Sequence, residues 1–314
     1  MKKQSNNQVN LYIIGNGFDL SHNLPTKYSD FREYLVKTTH YFPRGYLSVP
    51  DVAIGHHGDV IVDEMGSACL FIEWLDWNSG ETWSDLEDAL GELDYDSVFS
   101  DISQELDDDH PFNGIYDAED LADSIRTSVS WVITDRLLEW IQSVDTQNVK
   151  KKYQLDPFGF YLTFNYTMLL EKIYGISSNR VCHIHGSIEE GDLIIGHGCP
   201  YGQEICHNFI YGDSAQAIHD SLRKNTKKAI ERHGAFFGDL FSRKITDIYC
   251  LGCGIGSADL PYFQFLFSAI NTKMVRIHFS EFEEKRGECV KKIARLRAVG
   301  FKGAISRCLP ELPR

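Results

Sequence analysis

Apolar positions recur along the chain in two different periods, and the switches between them divide it. Val9-Asn10-Leu11-Tyr12-Ile13-Ile14 is short, apolar and β-branched and breaks at Gly15-Asn16-Gly17. That is the pattern of a buried strand running into a tight glycine turn. After Pro25-Thr26, the residues Tyr28, Phe31 and Leu35 fall three and four apart, which predicts a helix with one apolar face. Residues 45–66 hold no clear period and read as a long loop or irregular insertion. From Trp83 the spacing is helical: Leu86, Leu90 and Leu93 share a face, with Asp85, Glu87, Asp88 and Glu92 largely on the other. Leu121, Ile125, Val129, Val132, Arg136 and Trp140 repeat the rule, so residues 80–145 are expected to be mainly helical.

Beyond Lys150-Lys151-Lys152 the pattern changes to short apolar runs. Phe158–Phe164, Val181–His185, Leu193–Ile195, Ile245–Leu251 and Met274–Phe279 read as strands, with helical spacing at 213–241, 259–271 and 281–299. Strands alternating with helices imply a parallel sheet covered on both faces. The expected fold is α/β, a parallel-sheet, Rossmann-like core formed by residues 1–44 and 146–314, with a mainly helical acidic insertion at 45–145. No internal repeat or low-complexity tract interrupts it.

Composition sharpens this picture. Of 314 residues 43% are apolar and 12% aromatic, enough for a large core and too much for disorder. The formal charge of −14 argues against a generic nucleic-acid or anionic-membrane binder. It is unevenly spread: residues 45–125 hold 22 Asp and Glu and no Lys or Arg, and the rest carries 31 basic against 23 acidic residues. The overall acidity therefore says nothing against an anionic ligand on the core. The polar N-terminus lacks an apolar h-region, no run is long enough for a membrane span, and eight irregularly spaced Cys fit reduced thiols. A cytoplasmic protein without membrane contact is expected.

Ligands of parallel sheets lie beyond the carboxyl ends of the strands. Four polar or glycine clusters fall there: Gly15-Asn16-Gly17-Phe18-Asp19, Thr163-Phe164-Asn165-Tyr166-Thr167, His183-Ile184-His185-Gly186-Ser187, and Gly252-Cys253-Gly254-Ile255-Gly256-Ser257-Ala258-Asp259. Gly15-x-Gly17 would let backbone approach a pyrophosphate, with the next helix offering its N–H groups, although the full G-x-G-x-x-G is absent and a plain turn is the blander reading. Asp19 could cap that helix or bond a ribose hydroxyl. Ser257 or Asp259 could cap the helix that Pro261 opens. Asn165 and His185 are the pair most able to do chemistry: an amide can hold a water or hydroxyl, and an imidazole can accept its proton. Each taken alone is as well explained as an ordinary buried polar residue.

Metal ligation competes. His183 and His185 lie two apart, Cys250-Leu251-Gly252-Cys253 is a C-x-x-C, and His197, Cys199, Cys206 and His207 are close in sequence, but the spacings match no zinc knuckle and Cys250 alternates with core residues. Asp107-Asp108-Asp109 reads as a solvated loop, and Trp83, Trp131 and Trp140 as inter-helix packing.

At these clusters the sequence resembles the bacterial abortive-infection AbiH family. The resemblance rests, in order, on Ile13 to Leu20 with Leu24-Pro25-Thr26-x-Tyr28-x-Asp30-Phe31, Trp83-Ser84-Asp85-Leu86-Glu87, Phe164-Asn165-Tyr166-Thr167 with Leu170-Glu171, Ile184-His185-Gly186, Gly196-His197-Gly198, and Gly254 to Phe263. More distantly, that family is similar to the sirtuin-like NAD-binding fold of NAD-consuming defence proteins. By that resemblance Asn165 and His185 are the catalytic pair, and Gly15, Asn16, Gly17, Phe18, Asp19, Thr163, Gly186, Gly254, Ser257 and Asp259 bind NAD. Thr167 stands where the sirtuin element has Asp, Asn16 and Phe18 stand where it has small residues, and no four-Cys zinc module is evident, so deacetylation is not expected. The resemblance implies hydrolysis of the N-glycosidic bond of NAD, with a phage-derived trigger and a homo-oligomer as further partners. Two alternatives stay open: a non-catalytic sensor of a nucleotide or phage component, and metal-dependent hydrolysis on His183, His185 and His197.

Overall fold

A computed structural model describes residues 8–309 except 44, 84, 104–112, 204, 208–210 and 281–288. The Asp107–Asp109 run, Ser84 and the first half of the helix expected at 281–299 lie outside the described residues. In chain order the strands are β1 (Gln8–Ile14), β2 (Val52–Ile54), β3 (Val60–Val62), β4 (Phe160–Thr163), β5 (Val181–His183), β6 (Lys244–Leu251), β7 (Arg276–Ser280) and β8 (Ala304–Leu309). The helices are α1 (Asn16–Ser21), α2 (Tyr28–Thr39), α3 (Glu64–Ser79), α4 (Leu86–Gly91), α5 (Tyr95–Ser103), α6 (Asn113–Trp131), α7 (Leu137–Gln142), α8 (Leu169–Lys172), α9 (Gly212–Ser221), α10 (Thr226–Arg232), α11 (Gly234–Phe241), α12 (Leu260–Ala269) and α13 (Cys289–Ala298). They fall into two compact units: Met1–Thr26 with Val144–Ile194 and Asn225–Arg314, and Lys27–Ser143 with Ile195–Lys224.

The first unit is built on one six-stranded sheet, ordered β5-β4-β1-β6-β7-β8 and parallel throughout. Counting only these strands in chain order gives 3-2-1-4-5-6, the doubly wound Rossmann arrangement, whose direction of winding reverses between β1 and β6. The alternation read in β1 divides between two buried faces. Leu11 and Ile13 join Phe160, Leu162, Ile248, Cys250, Ile277 and Phe279 in one core, while Tyr12 and Ile14 join Tyr161, Val181 and Leu251 in the other. Both faces being buried explains why the strands read as continuous apolar runs. On the second face an aromatic ladder crosses four strands in register: Tyr12 stacks on Tyr161 at 4.7 Å and on Tyr249 at 5.0 Å, and Tyr249 stacks on His278 at 4.6 Å.

The sheet unit departs from expectation in two places. Leu193–Ile195 is no strand: Ile194 donates its N–H to His185 O and accepts the Tyr166 hydroxyl, so single anchors replace a ladder. β8, where Ser306 and Arg307 interrupt the apolar run, completes the sheet without having shown a strand pattern.

The second unit is mainly helical. α3 packs against α2, α4 and α6, and α6 against α9, with β2 and β3 forming a small antiparallel hairpin. The stretch 45–66, expected to be irregular, thus contains a hairpin and the start of α3. A π-helical turn, Val132–Arg136, joins α6 to α7. Trp83 is fully buried between Phe31 and Phe71 and donates Nε1–H to Asp76, which also holds Arg32 through both oxygens. Trp140 packs on Phe31 at 5.1 Å. Among the described residues Cys69, Cys182, Cys199, Cys206, Cys250, Cys253 and Cys289 form no disulfide. Among the described residues no helix is long and apolar enough to cross a membrane.

Candidate functional site

The turns after β1 and β6 meet where the sheet reverses its winding. Gly15 N–H donates to Leu251 O at 3.1 Å and Gly17 N–H to Gly252 O at 2.9 Å. A Cβ on Gly15 would lie 2.6 Å from Cys253 Cα, and one on Gly17 would lie 2.7 Å from Gly252 Cα. Gly252 itself sits at φ +65° and faces the Gly17 backbone as closely. These glycines thus serve first to let two turns interlock. Phe18 N–H is spent on Gly15 O, and the exposed Asn16 exchanges two hydrogen bonds with Thr26, donating to its O at 2.6 Å and accepting its hydroxyl at 2.7 Å. The Phe18 ring is buried against Tyr153, His22 and Tyr174.

Asn165 is the hub beside this interlock. It follows β4, and its N–H donates to Thr163 Oγ1 at 3.1 Å while its O contacts His183 Nδ1 at 3.0 Å. Its Nδ2 donates to Asp19 Oδ1 at 2.8 Å, and the Thr167 hydroxyl donates to Asp19 Oδ2 at 2.7 Å. Neither capping role expected of the acids is used, since α1 and α12 have no side-chain cap bond. Asp19 instead positions Asn165. Burial pushes the Asp19 carboxyl up to about 6, against the opposing pull of the Thr167 and Asn165 donors and of His183. With Nδ2 committed, Asn165 Oδ1 is a buried acceptor that no donor among the described residues satisfies. Such an atom in a native interior points to a missing donor, a water or a ligand hydroxyl.

His183 completes the support. Its Nε2 pairs with Glu171 Oε1 at 3.0 Å. Burial alone would lower its pKa, but the hydrogen bond and charge of Glu171 outweigh that and raise it. His185, just beyond β5, is buried with Nε2 3.5 Å from Asp259 Oδ1, and its ring packs on Phe164 at 5.1 Å and Tyr262 at 5.4 Å. Gly186 then turns the chain at φ +80°. Asp259 ends a short 3-10 turn with Ser257, after a loop in which Ile255 holds φ +53°, costly for a β-branched residue, with its O bound by Arg295 Nη1 at 2.6 Å. A Cβ on Gly254 or Gly256 would meet nothing within 4 Å, so these two glycines border open space.

The fold thus links Asp19, Thr163, Asn165, Thr167, His183 and Glu171 in one hydrogen-bonded network, and His185 with Asp259 in a second contact within the same unit. Sequence reasoning overlooked Thr167 and Glu171 as supports, although both stand in the family-like motif that follows Asn165. The proposed His/Cys groupings separate. Cys250 and Cys253 belong to the core. Cys206 Sγ and His207 Nδ1 both contact Asp96, at 3.1 and 2.8 Å. Within the helical unit His197 and Cys199 join His219, a residue that no motif had marked, in the one group of described residues arranged to hold a metal ion.

No curated protein and no solved structure matches the chain. The family model described as bacteriophage abortive infection AbiH matches residues 11–281, a span that includes all four post-strand clusters. The chain therefore belongs to the AbiH family.

Proposed function

We propose that the protein acts in abortive infection by binding NAD or a related nucleotide beside the carboxyl ends of β1, β4 and β6, and by hydrolysing its N-glycosidic bond. The observation that supports this best is the buried Asn165 Oδ1, fixed in orientation through Asp19 and lacking a donor among the described residues. It would accept a hydrogen bond from the attacking water or a ribose hydroxyl. The water oxygen would bond to the anomeric carbon of the ribose as the carbon–nitrogen bond to nicotinamide breaks, and His185 would take the water proton, with Asp259 steadying the imidazolium. Rate enhancement would come from positioning and from electrostatic support of a ribosyl cation. The open side of Gly254 and Gly256 suits the approach of a phosphate or ribose.

One observation favours binding without turnover: the amides of Gly15, Gly17 and Phe18 are already committed to protein acceptors, which weakens the diphosphate cradle expected of the first turn. The test is release of nicotinamide from NAD by the purified protein, alone and with extract of phage-infected cells. Asn165→Ala and His185→Ala are each expected to lower turnover at least about 100-fold while the protein stays folded. NAD that binds but remains intact under both conditions supports the sensor reading; NAD that neither binds nor reacts refutes the proposal.

A further inference from the structure

The helical unit holds a second constellation that the nucleotide reading does not use. His197 and His219 are both fully buried, their rings 4.1 Å apart, and Cys199 lies beside them. One potential ligand atom from each of the three residues falls within 4.8 Å of the others. The Nε2 atoms of both rings are occupied in the same way: His197 Nε2 donates to His219 O at 2.8 Å and His219 Nε2 to Gly91 O at 3.3 Å. A backbone carbonyl on the outer nitrogen is the arrangement that orients metal-binding imidazoles and leaves Nδ1 to the ion. Among the described residues His219 Nδ1 is buried without a hydrogen-bond partner, and Asp220 Oδ1 lies 3.8 Å from it. His197 Nδ1 accepts the Cys199 N–H at 3.2 Å, and Cys199 Sγ contacts Gly91 O at 3.6 Å.

We infer that His197 Nδ1, Cys199 Sγ and His219 Nδ1 bind one Zn2+ ion, with the fourth position filled by water or by Asp220. Two imidazoles and a thiol form a donor set that suits this ion. Zinc bonds of about 2.0–2.3 Å require the three atoms to draw together by roughly 1 Å, a matter of side-chain rotation. The Cys199 proton leaves to solvent as the thiolate binds. Asp88 and Glu92, whose charges act on Cys199, oppose the repulsion of Arg223, whose Nη2 is itself paired with Asp220 at 2.6 Å. Gly91 has a structural part in this: a Cβ there would collide with Cys199 Sγ and would lie 2.9 Å from His197 Cβ. The ion would join the 197–199 turn to α9, with the end of α4 held against both through Gly91.

The experiment uses the full chain, stripped with chelator and titrated with Co2+ and then Zn2+. The wild type is expected to take up one equivalent of Co2+ with a thiolate-to-cobalt charge-transfer band, which Zn2+ displaces, and to melt at a higher temperature with Zn2+ than with chelator. Cys199→Ser should abolish the band, His219→Gln should weaken uptake by more than about 100-fold, beyond the usual cost of an outer-shell change, and Cys206→Ser should alter neither. A wild-type protein without the band at one equivalent overturns the assignment even if the variants fail to fold. So does a band that survives Cys199→Ser and vanishes in Cys206→Ser.

Discussion

His183 in the sheet unit and His197 and His219 in the helical unit are all buried, yet their pKa values move in opposite directions. His183 rises because Glu171 stands against it, whereas burial lowers His219 and takes His197 down to about 4. The difference lies in the partners. Glu171 Oε1 stands 3.0 Å from His183, while the other two rings donate to backbone carbonyls, whose raising effect is too small to offset burial, so that the neutral imidazole is favoured. Burial alone therefore does not decide what a histidine is for. One unit sets a carboxylate against the histidine behind its asparagine, which favours the charged ring, and the other buries two imidazoles in surroundings that favour the neutral ring.

Replacing Glu171 by Leu should break the comparison most severely. At pH 5 it is expected to cost about 3–5 kcal/mol, the loss typical of removing one partner from a buried ion pair. The penalty should shrink as pH rises through the raised His183 value, because a neutral ring needs no counter-ion. Denaturant melts at several pH values and NMR titration of His183 check this; a His183 pKa that stays raised would show that Glu171 is not its cause.

Asp19 gives the next effect. Its pKa, raised from 3.8 to about 6, means that protonation favours the folded state, so its contribution is fully present below pH 3.8 and lost as pH rises through about 6. Asp19→Asn should remove a change on the order of 2–3 kcal/mol between pH 4 and 7. Parallel stability curves for the two proteins over that window would count against it. Asn165→Ala should cost about 1–3 kcal/mol, since Asp19 Oδ1 would lose its donor inside the protein. Urea midpoints read this directly. The smallest effect belongs to His207, whose partner Asp96 is held down to about 2, chiefly by that hydrogen bond, but both are exposed. His207→Gln should change stability by less than about 1 kcal/mol, and less still in high salt. A larger loss would mean that solvent exposure matters less here than the counter-ion does.

The sheet was legible because strands buried on both faces leave dense β-branched and aromatic runs, as in Leu11 to Ile14 and Ile245 to Leu251. α3 was not. Its residues Ser67–Leu75 are all buried, so it lacks the polar face that makes helical spacing visible. The placement of Asn165 and His185 after strands could be read from local pattern. Their supports could not: Asp19 reaches Asn165 across 146 positions, and Glu171 meets His183 only because α8 returns past β5. Nor does a local signal place 195–224 with 27–143, or His219 with His197, 22 residues away.

The interlocked turns of Gly15, Gly17 and Gly252 set a limit on how this protein can vary. With backbone pressed on backbone, no side chain can be fitted between the ends of β1 and β6, so that spacing is fixed as a mechanical datum for everything mounted around it. The loop from Gly254 to Asp259 is under no such constraint on its open side. Side chains can be added at Gly254 and Gly256, one substitution at a time, against a floor that does not move.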